Sequence, residues 1–268
     1  MQETLASYDA STALSIGWSL GLVGELFEKK LWTEEKLDFF ATEVLNGALV
    51  NRSVSEAQTG SPTRGGRPGT TAIKKGNTWV INGRKIFTTA SPILSYFLTS
   101  AWIEEKEKVG FFLINRDLVG VSIEETWDVV SMRGTSSDDL ILNNVVVQNS
   151  DLVELPEFVS GGKINGWLLN IPATYLGVAQ AARDYADQFA NTHSPNSAKH
   201  IVTNSAITIV DKAMRLVGAK SLQRTNPLQR YYRDVRAGLH NPPMDDMTIK
   251  KLALTALEED RNLNNKDK

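Results

Sequence analysis

The chain contains no cysteine. That excludes disulfide frameworks, thiolate metal sites, cysteine nucleophiles and dithiol redox chemistry. Histidine is scarce as well. His193, His200 and His240 are the only three, and no HExxH spacing joins any of them, so no histidine metal site is expected. Neither sign of charge is in excess: 29 Lys and Arg face 31 Asp and Glu, a net charge of −2. A reader of duplex nucleic acid needs a basic surplus to neutralise phosphates, so no nucleic-acid partner is expected. No GxGxxG follows a strand, and neither GxxxxGK[ST] nor GxSxG occurs. Rossmann, P-loop and α/β-hydrolase readings lose their support. The longest apolar run, Ala13 to Val23, is broken by Ser15, Ser19 and glycines. It falls short of the roughly 20 residues of a membrane span. The start, MQETLASYDAS, lacks the basic and apolar regions of a signal peptide. The expectation is a cytoplasmic protein with no membrane partner.

The 268 residues are 41% hydrophobic and 22% charged, enough to bury one large core or two modest ones. Three zones differ in period. From Thr4 to Leu45 apolar residues recur at helical spacing: Leu5, Tyr8, Ala13, Ile16 and Leu20 form one face, which Phe27 and Leu31 continue. Thr33 suits an N-cap for a second helix, and Gly47 suits its stop. From Ala48 to Leu155 the runs are short and rich in Val, Ile, Thr and aromatics. Strands are predicted at 70–74, 78–82, 96–102, 110–114, 121–125 and 140–147. Lys75-Gly76-Asn77 reads as a hairpin turn, and Asn82-Gly83 as a second turn signal. From Gly161 the helical period returns, with helices predicted at 167–191, starting late or kinked at Pro172, and at 204–217, 227–239 and 244–261. The fold class is therefore α+β and multidomain. An N-terminal helical domain (1–47) precedes an antiparallel β middle domain (48–158) and a C-terminal helical bundle (159–268).

Three segments stand out chemically. The loop Ser53-Val-Ser-Glu-Ala-Gln-Thr-Gly-Ser61 offers hydroxyls, backbone N–H groups and a glycine. Such a loop can hold a phosphate or a flavin edge, although most Ser/Thr/Gly loops are solvated turns. Trp79-Val-Ile-Asn-Gly-Arg-Lys-Ile-Phe-Thr-Thr-Ala-Ser91 leads a hairpin strand into an aromatic and two threonines. Its plain alternative is an ordinary amphipathic strand. Met132-Arg-Gly-Thr-Ser-Ser-Asp-Asp-Leu-Ile-Leu-Asn-Asn-Val-Val-Val147 is a polar loop entering a buried strand.

Taken in order, these segments resemble the acyl-CoA dehydrogenase family. Ser55-Glu56 and Gly60-Ser61 match its T-E-P-x-A-G-S loop. Asn82-Gly83, Lys85 and Phe87-Thr88-Thr89 match its N-G-x-K-x-W-I-T strand, and the third segment matches G-x-R-x-S-x-T. Leu176-Gly-Val-Ala-Gln180, Met214-Arg-Leu-Val-Gly218 and Tyr232-Arg-Asp-Val-Arg236 resemble segments of its C-terminal bundle. The resemblance implies a flavin-dependent oxidoreductase using FAD that dehydrogenates an acyl-CoA thioester. Val54, Ser55, Gly60 and Ser61 would hold the flavin. Phe87, in place of the usual Trp, Thr88 and Thr89 would lie against its ring. Arg215 and Gly218 would reach the FAD of a neighbouring subunit, which implies a homodimer or homotetramer. An electron-transfer partner would take the electrons.

Departures from the family pattern are informative. The family's general-base Glu would fall on or next to Pro242, and proline is no base. The Arg often found at the start of the first C-terminal helix corresponds to Leu168. Leu239-His-Asn-Pro242 resembles instead the L-H-x-P of two-component flavin monooxygenases of the same fold. Those use reduced flavin, FMN included, from a separate flavin reductase. That makes His240 the candidate catalytic residue, with a helix C-terminal histidine as the plain alternative and Asp245 and Asp246 as other bases. Family members carry further helices before the stretch matching Leu5, and a helical hairpin where Asn191 to His200 stands here. A catalytically silent flavin or acyl-CoA binder is the third reading.

Overall fold

The computed structural model describes residues 1–58, 67–156, 166–192 and 195–266. It divides into two compact units, Met1–Gln180 and Ala181–Lys268.

The first unit begins with three helices: α1 (Gln2–Tyr8), α2 (Ala10–Lys29) and α3 (Glu34–Leu45). Asp9 separates the first two in extended conformation and caps α2 by accepting the Thr12 N–H at 2.6 Å. Thr33 caps α3, as its sequence position implies, and Gly47 stops it with a φ of +93°. Among the described residues eight strands follow: β1 (Val50–Ser53), β2 (Thr71–Lys75), β3 (Thr78–Lys85), β4 (Tyr96–Ile103), β5 (Lys108–Asn115), β6 (Val121–Glu124), β7 (Asp139–Gln148) and β8 (Leu152–Glu154). Their order is β6-β7-β3-β2-β4-β5-β8, with β1 also paired to β4.

The sheet corrects two expectations. It is mixed rather than antiparallel, because β1 and β2 both run parallel to β4. Local alternation could not show this, since parallel pairing joins segments distant in sequence. Asn82-Gly83 is not a turn. It lies inside β3 at a bulge against β7, and a Cβ on Gly83 would stand 2.7 Å from the Thr70 Cα. The glycine serves close backbone approach rather than chain reversal. Gly76, by contrast, does turn the β2–β3 hairpin with a φ of +62°.

β4 and β5 are buried on both faces. Phe97, Ala101, Ile103, Phe112 and Ile114 join Trp79, Ile81, Leu140 and Val145 in one core. Tyr96, Leu98, Val109, Phe111 and Leu113 alternate to the other face, where Leu22 and Leu26 of α2 and Leu37 and Phe40 of α3 cover them. Burial on both sides explains the near-continuous apolar runs of these strands. α2 is buried through Ala13, Gly17, Ser19, Leu22 and Leu26. Of the expected stripe, Ala13 is buried, whereas Tyr8, Ile16 and Leu20 are exposed. The helix is apolar nearly all round, so periodicity could not choose its inner face. Glycines choose it, by letting other segments approach its backbone. By length and composition alone, α2 is long and apolar enough to cross a membrane, an 18-residue window within it having a mean hydropathy of 1.2, more than the shorter run read from sequence. Here Ser19 Oγ donates to the Val50 carbonyl at 2.7 Å and ties the helix to the sheet.

A 3-10 turn at Gly166–Leu169 leads into α4 (Asn170–Thr192), so this helix does start late, with Pro172 in its first turn. In the second unit, α5 (Pro195–Val217) begins nine residues before its predicted start, and packs with α6 (Pro227–Arg236) and α7 (Asp245–Lys266). Asn226 caps α6 and Pro227 occupies its first turn, both as expected.

Candidate active site

A cavity of 460 Å³ opens between α2, the segment leaving β1, the turn leaving β3 and the start of α4. Its polar and aromatic wall comes from Asn51, Val54, Ser55, Phe87 and Thr89, and its helical wall from Gly17, Trp18, Gly21, Leu22, Trp167 and Ile171. The lining is mostly apolar with a few convergent polar groups, as ligand pockets are.

The turn leaving β3 explains why Phe87 and Thr89 reach this cavity. Phe87 and Ala90 both hold positive φ, 58° and 62°. Bulky residues avoid that region, and such strain persists only where neighbours over-determine it. The neighbours come from the segment around the 3-10 turn Arg133–Thr135. Ala90 N–H donates to the Thr135 carbonyl at 2.8 Å, and Thr88 N–H to the Asp138 carbonyl at 3.1 Å. Ser137 Oγ donates to Thr89 Oγ1 at 3.0 Å. Asp138 accepts from Ser91 Oγ and from the backbone of Thr126 and Trp127. From the other side, Asn51 Nδ2 donates to the Thr89 carbonyl at 3.1 Å. The result is an exposed aromatic ring, 60% accessible, beside a fixed hydroxyl. Trp127 braces that ring edge-on at 6.0 Å.

The loop after β1 is anchored by a buried ion pair. Glu56 accepts from Lys85 Nζ at 2.5 Å, from Thr70 Oγ1 at 2.7 Å and from the backbone N–H of Gly69 and Thr70. Burial alone would raise the Glu56 pKa, but the Lys85 and Thr70 hydrogen bonds outweigh it and hold it at about 2. Burial lowers the Lys85 pKa, against the pull of Glu56. The pair fixes the two chemically suggestive segments to each other. Sequence reading paired both residues with the family pattern without seeing that they touch.

The expected site residues fall into three groups. Val54, Ser55, Phe87 and Thr89 line the cavity together. Thr88, expected beside them, is fully buried, and its Oγ1 has no hydrogen-bond partner. Gly60 and Ser61 lie outside the described residues, as does the Leu168 side chain. Arg215, Gly218 and His240 belong to the second unit. Arg215 is exposed in the last turn of α5, Gly218 follows with a φ of +70°, and His240 is an exposed C-cap of a 3-10 turn. Asp245, named as an alternative base, accepts from His200 Nδ1 at 2.7 Å. That hydrogen bond lowers its pKa.

Sequence reasoning missed Asn51, Arg52, Trp18, Glu25 and Trp167. The available signal was the row Gly17, Gly21, Gly24 on an otherwise large-residue helix. Those positions recur at i, i+4 and i+7, and the Trp167 ring packs where a Cβ on Gly24 would stand, 2.5 Å away. The residues present suit a flavin: an open aromatic face, a braced threonine hydroxyl on the same wall, and Ser55 on the adjoining loop.

Comparison with known proteins gives a consistent answer. Residues 52–145 match the family model described as acyl-CoA dehydrogenase, middle domain, and residues 162–239 match that described as acyl-CoA dehydrogenase, C-terminal domain. YdbM of Bacillus subtilis (strain 168), assigned by name to the acyl-CoA dehydrogenases, is 54% identical, covering 96% of this chain and 81% of the relative. That alignment spans 308 positions against the 268 residues here, so at least 40 positions of the relative face gaps in this chain. The cyclohexane-1-carbonyl-CoA dehydrogenase of Syntrophus aciditrophicus (strain SB) is 26% identical, over 87% of this chain and 74% of its own. Among solved structures, butyryl-CoA dehydrogenase from Megasphaera elsdenii has a TM-score of 0.60 at 17% identity, over 96% of this chain and 80% of its own. TdsC from Paenibacillus sp. A11-2, solved with FMN and indole, has a TM-score of 0.63 at 20% identity, over 96% and 82%. The two structural likenesses concern the fold. With the family models and the close relative, they establish that this chain belongs to the acyl-CoA dehydrogenase family, whose members are FAD-dependent flavoproteins.

Proposed function

We propose that the protein is an FAD-dependent oxidoreductase that removes two hydrogens from the α and β carbons of an acyl-CoA thioester. The observation that carries this reading is the cavity that gathers Ser55, Phe87 and Thr89 opposite an apolar helical wall. FAD, when bound, supplies the acceptor for the β-hydride. Ser55 and Thr89 would hold it by hydroxyl hydrogen bonds, and Phe87 would lie against its ring. By the family resemblance Gly60 and Ser61 would also hold the flavin, and Arg215 and Gly218 would meet the cofactor of a second subunit in a homodimer or homotetramer. Trp18, Trp167, Leu22 and Ile171 would surround the acyl group and exclude water from the reacting carbons. The α-proton must pass to a base. Glu25 is the one carboxylate lining the cavity among the described residues. The released electrons would go to an electron-transfer partner, in the cytoplasm.

A second reading rests on Leu239-His240-Asn241-Pro242. It makes the protein a monooxygenase that takes reduced flavin from a reductase, with His240 as a proton donor or acceptor. L-evernosamine nitrososynthase, 23% identical over 60% of this chain, is a relative with a different product chemistry.

Anaerobic titration of the FAD-loaded protein with acyl-CoA thioesters separates the readings. Loss of oxidised-flavin absorbance with any thioester is the expected result. A protein that binds FAD and bleaches with none refutes dehydrogenation, and turnover only with a reductase and oxygen would support the second reading.

A further inference from the structure

Thr89 is held from two sides. Its carbonyl accepts from Asn51 Nδ2 at 3.1 Å, and its N–H donates to the Phe87 carbonyl at 3.0 Å. Asn51 is itself buried and fixed, its Oδ1 accepting from the Arg52 N–H at 2.9 Å. The backbone of Thr89 is thus placed by β1. Its hydroxyl is placed separately, by the segment that follows the 3-10 turn Arg133–Thr135.

That hydroxyl contact has a direction. A hydroxyl carries one hydrogen and two lone pairs. Ser137 Oγ donates to Thr89 Oγ1 at 3.0 Å, which uses the Ser137 hydrogen. Thr135 Oγ1 has two acceptors within reach, the Met132 carbonyl at 2.9 Å and Ser137 Oγ at 2.8 Å. Two other donors already serve that carbonyl: Trp127 Nε1 at 3.0 Å and the Thr135 N–H at 3.1 Å. They match its two lone pairs, so the Thr135 hydroxyl hydrogen is left for Ser137. The chain therefore runs from Thr135 to Ser137 to Thr89, and each acceptance strengthens the next donation. Thr135 and Ser137 are both buried, so water does not compete for these roles. Thr89 lines the cavity, and among the described residues nothing accepts its own hydrogen.

We propose that Thr135 and Ser137 are positioning residues that hold the Thr89 hydroxyl as a donor into the cavity, so that the site favours oxidised over reduced flavin. The proposal rests on the flavin reading above and adds a control on the cofactor's potential. The oxidised ring offers a bare nitrogen where the hydride arrives, and reduction turns that nitrogen into an N–H donor. A hydroxyl held as a donor bonds the first form. Against the second it must turn its hydrogen away from the ring, where no described residue accepts it. Tighter binding of the oxidised form lowers the potential, by linkage.

The test uses the full chain loaded with FAD under anaerobic conditions. The midpoint potential is read against a reference dye, and affinity for oxidised FAD by fluorescence quenching. In Ser137→Ala the Thr89 hydroxyl is free to accept. The ratio of the reduced to the oxidised dissociation constant should fall about tenfold, one net hydrogen bond. For a two-electron couple that raises the potential by about 30 mV. Ser137→Cys puts a weak donor in the same place. It is the companion should Ser137→Ala lose its native circular dichroism, and it should move the potential in the same direction. A potential unchanged or lowered in a folded variant overturns the proposal, because a residue that merely supports the turn would weaken both flavin forms alike. Thr89→Val distinguishes the two levels. If it leaves FAD affinity unchanged, the flavin reading of this wall fails and the proposal falls with it. If it weakens FAD while Ser137→Ala leaves the potential fixed, the flavin reading stands and the proposal alone is overturned.

Discussion

Glu56 and Lys85 meet where the loop after β1 is pinned to β3, with Lys85 fully buried and Glu56 only 7% exposed. Replacing Glu56 by Gln keeps the shape and removes the charge, leaving the Lys85 ammonium with Ser100 Oγ at 3.1 Å and, among the described residues, no other counter-ion. Breaking a buried pair from one side typically costs about 3–5 kcal/mol. The depression of the carboxyl pKa from 4.5 to about 2 arises from the same Lys85 and Thr70 contacts and is of the same order, roughly 3 kcal/mol. The sign follows from that depression. The stabilisation is fully present above the unfolded carboxyl pKa near 4.5 and is lost as pH falls through about 2. Tryptophan fluorescence suits the assay, because all six tryptophans lie between Trp18 and Trp167, within the first unit. Urea unfolding at pH 7 should show Glu56→Gln destabilised by about 3–5 kcal/mol. The native chain should lose stability between pH 4.5 and 2 more steeply than the variant. Lys85→Met, alone and combined with Glu56→Gln, completes a double-mutant cycle. The coupling should be at least about 1 kcal/mol. Recovery will be incomplete, because Glu56 also accepts from Gly69 and Thr70. A Glu56→Gln protein within about 1 kcal/mol of native, with the same acid profile, refutes the reasoning.

Two further outcomes are expected. Thr89→Val removes the hydroxyl that Ser137 braces at the cavity wall. FAD affinity, read by fluorescence quenching on titration, should fall by about tenfold, one net hydrogen bond; unchanged affinity would take Thr89 out of the proposed flavin contact. Gly24→Ala places a Cβ 2.5 Å from the Trp167 ring. Overpacking of this kind costs about 1–3 kcal/mol, so urea unfolding should shift to lower concentration, and near-ultraviolet circular dichroism should report the moved indole. No change in either would show that Trp167 does not rest on the glycine row.

Sequence alone determined much of the architecture, because local physics wrote it. The alternating Val, Ile and aromatic runs produce β2 to β7, and Thr33, Gly47, Gly76 and Asn226 cap or turn the chain where their backbone chemistry requires. The order of three polar segments was enough to place the chain in its family and to bring forward Ser55, Phe87 and Thr89, which line one cavity, as candidate site residues. Only the tertiary structure decided the rest. β1 and β8 are short and weakly patterned, and they become strands through neighbours far along the chain. Asn82-Gly83 carries a turn composition but sits in a bulge, because Thr70 leaves no room for a side chain there. α2 is apolar all round, so its inner face was settled by which segments could approach its glycines. The charged lining of the cavity was invisible for the same reason. Glu25, Arg52 and Glu154 come from three distant stretches, and no spacing rule links residues that only folding makes neighbours.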